Sequence, residues 1–307
     1  MRMPSTFGGV LLLVCAGAAA APGDRTLREA ASTEVPLATI LDRAGEYVER
    51  YSDAFRNVLA EETCRQWLRG GWATPSDVKN EGETANPHQR AEVRTLRCEL
   101  VWVAIPGLLP WEAFRDVVEL DGRKLGDREG RLAKLFAGPE PTALAQARQI
   151  SEESSRHVLG ARRDVNVPTR ALLLLLPENQ GRLELERKGE RTIAGRQGVE
   201  VEFREVASPT LVRDQRQDRD VPSRGRFWID PTSGAVLRSE IQYVGRGFVS
   251  TEYRPEPGFD VLVPDVMKEL GSYDGARLES TARYPTYRRF GAATGENGAK
   301  APEAPPE

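Results

Sequence analysis

Gly225-Arg226-Phe227-Trp228-Ile229-Asp230-Pro231-Thr232-Ser233-Gly234-Ala235-Val236-Leu237-Arg238 reads as two strands joined by a tight turn. Phe227-x-Ile229 alternates, Asp230-Pro231-Thr232-Ser233-Gly234 has turn chemistry, and Val236 opens the next alternating run. The same texture extends both ways. Upstream lie Leu183-x-Leu185, Val199-x-Val201-x-Phe203 and Leu211-Val212, with an Ala194-Gly195 turn; downstream lie Phe248 to Tyr253, Leu262 to Met267 and Leu278 to Tyr287, with a Pro255-Glu256-Pro257-Gly258 turn. Strands at this spacing make an antiparallel meander, which must curl or pack to cover its apolar face.

The first half is mixed. From Leu37, the apolar positions Ile40, Leu41, Ala44, Tyr47, Val48, Tyr51, Phe55, Val58 and Leu59 recur at three- and four-residue steps. That stripe predicts an amphipathic helix running to about Leu68 and stopped by Gly70-Gly71. Residues 73 to 90 read as a loop, Val93 to Ile105 as a strand, and Phe114 to Leu120 as a second strand closing on the Asp121-Gly122 turn. The period turns helical again in an insert at about 127–177. It holds two short helices separated by Pro139 and Pro141, then Pro168 to Leu176, where Thr169 is placed to cap and five leucines indicate deep burial.

Met1 to Thr6 with Arg2, then an apolar run from Phe7 ending in four alanines, is the layout of a secretory signal. The run is shorter than the ~20 residues that span a bilayer. The expected organisation is a signal peptide at 1–20, a flexible leader at 21–36, one α+β domain at 37–290 and a disordered tail at 291–307. Cys15 offers the rival of lipoprotein anchoring; Val14 before it and the better Ala-x-Ala site argue against acylation. Location is then the periplasm or the extracellular space, with no transmembrane span after cleavage. Cys64 and Cys98 remain, and an even count in an exported chain predicts a disulfide between them, with two buried thiols as the alternative.

The 307 residues carry 43 Lys plus Arg against 46 Asp plus Glu, a net charge of −3. This balance calls for neither nucleic acid nor an anionic membrane as a partner. With two histidines, His88 and His157, a His-rich metal site or a Ser-His-Asp triad has few possible members. HExxH, CxxC, GxSxG and a phosphate-cradling glycine loop are all missing from the sequence, and neither a metal nor a cofactor is expected. Ser76-Asp77-Val78-Lys79 matches a Ser-x-x-Lys pattern by chance, in a loop. The alternating Arg and Asp residues at 213–220 read as a solvated hairpin. Glu61-Glu62 and Glu152-Glu153 are adjacent helical pairs that diverge by ~100° and form polar faces. The aromatic bulk remains: Trp102, Phe114, Phe203, Phe227, Trp228 and Tyr253 either form the core or line a cavity for an apolar ligand.

The C-terminal half resembles the periplasmic lipoprotein-carrier (LolA-like) superfamily, especially its uncharacterised exported bacterial relatives. The residues responsible are the stretch quoted above, then Thr251-x-Tyr253, Val263-Pro264-x-Val266-Met267 and Tyr284-x-x-Tyr287-x-x-Phe290. The resemblance covers roughly residues 181 to 290. It implies a curled antiparallel sheet, a half-barrel, covered by an N-terminal helix and the central helical insert, and by function the binding of acyl chains or other apolar ligands. The chain departs from the carriers in its long insert, whose Leu172 to Leu176 run has the bulk to plug the cavity.

Three functions are in view: a non-enzymatic exported protein binding an apolar small molecule, a lipid or an envelope protein; an interaction or scaffold protein with a filled core and no ligand; and a carboxylate-based hydrolase.

Overall fold

The structure is a computed structural model and describes residues 34–70, 91–105, 109–137, 142–160, 166–214, 218–243, 247–273 and 276–290. The signal, residues 21–33 of the leader, Cys15, Ser76 to Lys79, His88 and the tail lie outside the described residues. The described residues from Val35 onward belong to one unit.

Helix α1 (Leu37–Ala54) buries Ile40, Ala44, Tyr47, Val48, Tyr51 and Ala54, the stripe its sequence spacing lays on one side. It ends much earlier than the periodicity predicts. Asn57 takes a left-handed backbone (φ 55°), and Val58–Gly70 is strand β1. Residues Ala60, Glu62, Cys64 and Gln66 point inward in alternation. Glu62 and Gln66 hid this period of two, because inward-facing polar residues look like solvent positions until their partners are known. Glu61 and Glu62 are therefore not one polar helix face but opposite faces of a strand.

The remaining strands are β2 (Ala91–Ile105), β3 (Leu109–Leu120), β4 (Arg123–Lys124), β5 (Leu183–Ile193), β6 (Arg196–Glu205), β7 (Arg213–Asp214), β8 (Arg219–Asp220), β9 (Ser223–Ile229), β10 (Val236–Tyr243), β11 (Gly247–Arg254), β12 (Val263–Tyr273), β13 (Ala276–Arg283) and β14 (Tyr287–Arg289). All but β7 and β8, which form their own hairpin, join one open 12-stranded sheet in the order β4-β3-β2-β1-β13-β12-β11-β10-β9-β6-β5, with β14 also pairing β1. Every described pairing is antiparallel. The pairing of β1 with β13 joins the N-terminal meander to the C-terminal one, so the first strand of the chain sits mid-sheet.

One face, the inner, carries α1 and a 3-10 helix at Arg170–Leu175, followed by the short helix α4 (Pro177–Gln180). Leu172 to Leu176 are buried in one cluster with α1 and with Trp102, Phe203 and Phe227 of the sheet. Helices from the same insert cover part of the outer face: α2 (Arg131–Phe136) and α3 (Ala143–Ser155) place Leu132 and Ala147 against Leu59, Val101, Val103 and Phe114 of β1 to β3. Helix α3 also serves the open edge of β3, where the hydroxyls of Ser151 and Ser154 accept the amide hydrogens of Arg115 (3.1 Å) and Val117 (2.9 Å). The fold is α+β, an antiparallel sheet covered by the N-terminal helix and the insert, as the sequence predicts.

The expected bridge between Cys64 and Cys98 does not form; both are buried thiols. The register sets Cys64 opposite Leu96 and Cys98 opposite Glu62. They are diagonal neighbours on adjacent strands, typically ~7–8 Å apart. A disulfide needs Cα atoms within ~6.8 Å.

At the turn between β9 and β10, Asp230 accepts the amide hydrogens of Thr232 (2.9 Å) and Ser233 (3.2 Å) and pairs with Arg196 (2.8 Å). Burial acts to raise its carboxyl, but these donors outweigh it and hold the group below its ordinary value. Arg43 of α1 donates to the Pro231 carbonyl, so the turn also docks the helix.

Candidate functional site

The six aromatic residues read from sequence as either core or cavity lining do not share one face of the sheet. Trp102, Phe203, Phe227 and Tyr253 point to the inner face; Phe114 and Trp228 point to the outer one. Phe114 stacks on Phe136 of α2 with ring centroids 5.7 Å apart. Trp228 lies under the Arg238 guanidinium, 5.0 Å from the ring centroid. Strand alternation separates Phe227 from Trp228, since neighbours in a strand point oppositely.

On the inner face the aromatics are fixed by the 3-10 segment. The indole N–H groups of Trp102 and Trp111 both donate to Thr169 Oγ1 at 3.0 Å, and the Tyr253 hydroxyl donates to the Pro168 carbonyl at 2.9 Å. Thr169 makes no side-chain cap; its hydroxyl is taken by the two indoles. Phe203 and Phe227 stack at 4.9 Å. Leu172 to Leu176, 0–4% exposed, pack among them. Burial holds the Tyr51 and Tyr253 phenols well above their ordinary value, so they stay protonated across the physiological range.

Beside this apolar region lies a buried polar one that the sequence did not disclose. Arg115 Nε and Nη2 donate to the two carboxylate oxygens of Glu62 at 2.9 and 2.8 Å, and the Tyr284 hydroxyl donates to Glu62 Oε2 at 2.8 Å. Arg115 also reaches the Asn166 carbonyl at 3.3 Å. Two inward-facing rows further along β1, past Cys64, Gln66, Ser280 and Glu269 stand side by side on β1, β13 and β12. Gln66 Oε1 accepts the Leu159 amide hydrogen at 3.0 Å, and Ser280 donates to Glu269. On the outer face, Asp116 takes Arg131 at 2.9 Å and Ser154 at 2.9 Å, tying α2 and α3 to β3. These carboxylates are engaged by donors that join one element to another, which is a structural use of charge. Among the described residues no group of three or more His, Cys, Asp or Glu side chains is arranged to hold a metal ion. His157, whose main-chain carbonyl accepts from Arg94 at 2.8 Å, has a lowered imidazole pKa through burial and the charges of Arg128 and Arg94.

A groove of about 870 Å³ runs over β5, β6, β9 and β10 and ends at Phe248 of β11. It is lined by the outward row of alternating charge, in which Arg204 pairs with Glu184 and Arg226 with Glu200 (3.2 Å) and Glu202 (3.6 Å). Beyond Phe248 the row continues through Leu270, Glu279, Trp67 and Val93. The alternation Thr63-x-Arg65-x-Trp67-x-Arg69 is the signal that could have placed Trp67 there, had β1 been read as a strand.

No protein-family model matches the sequence, and no curated protein does. Among solved structures, the chain is similar to a protein domain from Vibrio parahaemolyticus described as an outer membrane lipoprotein-sorting protein. The identity is 10%, covering 83% of this chain and 95% of that one, with a TM-score of 0.32. It is also similar to a DUF1329 family protein from Desulfovibrio piger, at 11% identity, 83% and 93% coverage and a TM-score of 0.34. A third similarity is to the Pseudomonas aeruginosa MucA/MucB complex structure, at 11% identity, 81% and 99% coverage and a TM-score of 0.19. Likeness at these scores carries no function across. No helix of the described residues is long and apolar enough to cross a membrane.

Proposed function

We propose that this chain is an exported binding protein of the cell envelope, with a filled interior, that engages its partner at the surface of the sheet. The observation that carries the reading is the position of Leu172 to Leu176. They occupy the inner face between α1 and the sheet, where a half-barrel carrier would hold an acyl chain. The segment is anchored at its start by both Trp102 and Trp111 on Thr169 and near its end by Asn179 Nδ2 on the Leu173 carbonyl (2.7 Å). Replacing five buried leucines by a ligand would expose them at a cost of roughly 1.5–3 kcal/mol each. The engaged carboxylates favour binding over hydrolysis, and the signal-like Phe7 to Ala21 supports export.

Organic extraction of the native protein, with titration of a fluorescent fatty acid, tests this. The expected result is no co-purifying acyl species and no saturable uptake. A stoichiometric acyl chain in the wild-type protein would overturn the filled interior. Hydrolysis abolished by a single Asp or Glu substitution would overturn the non-catalytic part.

A further inference from the structure

The outer face carries a row of apolar side chains framed by cations, away from the helices that cover the same face elsewhere. Val93 of β2, Trp67 of β1, Glu279 of β13, Leu270 of β12 and Phe248 of β11 stand in register across five strands. At ~4.8 Å between strands the row is about 19 Å long. Val93 is 47% and Leu270 42% exposed, and Trp67 and Phe248 are half-buried. Helices α2 and α3 take Leu59, Val101, Val103 and Phe114 as their partners on this face.

Two residues along each strand bring the next outward side chain. On β1 these are Arg65 and Arg69, one on either side of Trp67; on β12 it is Lys268, beside Leu270; on β13 it is Arg277, beside Glu279. Arg277 pairs with Glu279 at 3.0 Å, which neutralises the acid within the row. Arg65 lies 4.8 Å from the Trp67 ring centroid, and among the described residues no carboxylate forms an ion pair with Arg65, Arg69 or Lys268. A net positive frame thus surrounds an exposed apolar line.

We propose that this row docks on an anionic lipid surface. The inference rests on the reading that binding takes place at the sheet surface. The charge selects the occupant: exposed cations beside Trp, Leu and Phe match a headgroup layer, where indoles sit at the interface, aliphatic tips reach the acyl boundary and cations meet phosphates. A protein partner fits less well. Lysine is depleted from protein interface cores, whose anchors fill pockets, whereas these side chains rise from one level sheet row.

Co-sedimentation of the full chain with vesicles is the test. Partition is expected onto phosphatidylcholine vesicles containing phosphatidylglycerol and not onto phosphatidylcholine alone, and it should weaken as salt is raised. Arg65→Glu combined with Lys268→Glu should lower partition at least about tenfold, and Leu270→Ser should lower it with the charges intact. Both variants lie on the exposed face, and an unchanged thermal melt certifies that they fold. Equal partition onto both vesicles, none onto either, no effect of the variants, or binding of polyglutamate in preference to vesicles would each overturn the proposal. Fatty-acid uptake reads only the interior. Acyl uptake with intact vesicle binding removes the filled interior and leaves the docking face, whereas loss of vesicle binding without acyl uptake removes only the docking face.

Discussion

Gly234 is where a single residue governs the placement of an element. Its backbone has φ +73°, and a Cβ built there would lie 2.1 Å from the Arg43 carbonyl oxygen and 2.8 Å from the Ala44 nitrogen of α1. Gly258 has φ +82° with nothing within 4 Å of the same position. Both substitutions to alanine force a side chain into a left-handed conformation, a cost of about 1 kcal/mol or more. Only Gly234→Ala must also push α1 away from the turn. Urea denaturation should therefore give a loss at Gly234→Ala that exceeds the loss at Gly258→Ala by at least about 1–3 kcal/mol, the usual cost of overpacking. Equal losses would mean that the turn yields without moving the helix. The glycine was legible as a turn residue in sequence. Its close approach to α1 was not, because the approach joins positions 190 residues apart.

Among the elements, the 3-10 segment at Arg170–Leu175 decides what the inner face is. Its four leucines, with Leu176 just after them, were legible as a buried run, and Thr169 as its start. The use of Thr169 was not: a hydroxyl before a helix reads as a cap, and here it accepts two indole N–H groups from β2 and β3. Thr169→Val keeps the shape and removes the acceptor, leaving two buried donors without it at about 1–3 kcal/mol each. The variant should unfold at lower urea, and both indoles should lose protection in proton exchange of their N–H groups. Retained protection would show that the threonine is incidental to the anchor. Strand β1 teaches the complementary lesson. Its inward Glu62 and Gln66 hid the alternation, since a polar side chain is read as exposed until its buried partner is known.

At the scale of the molecule, the N-terminal meander, the C-terminal meander and the insert are tied by one buried ionic cluster. Glu62 of β1 receives Arg115 of β3 across the intervening β2, and receives Tyr284, which follows β13; Arg115 in turn reaches Asn166 ahead of the 3-10 segment. Arg115→Met removes the guanidinium facing a buried carboxylate and should cost about 3–5 kcal/mol, while adding Glu62→Leu should restore most of it. A double-mutant cycle in urea measures this, and a single-mutant loss below about 1 kcal/mol would mean that the pair is peripheral to the joining of the two meanders. The sequence by itself determined the α+β class, the alternating C-terminal strands, the Asp230 to Gly234 turn and the insert, because local period and turn chemistry act over a few residues. Only the tertiary structure decided that β1 lies mid-sheet against β13, that Phe114 lies on the face opposite Phe227, that Cys64 and Cys98 are diagonal neighbours, and that Trp67, Leu270 and Phe248 share one row. Register between distant strands is set by which faces must be buried together, and no local stretch of sequence records that choice.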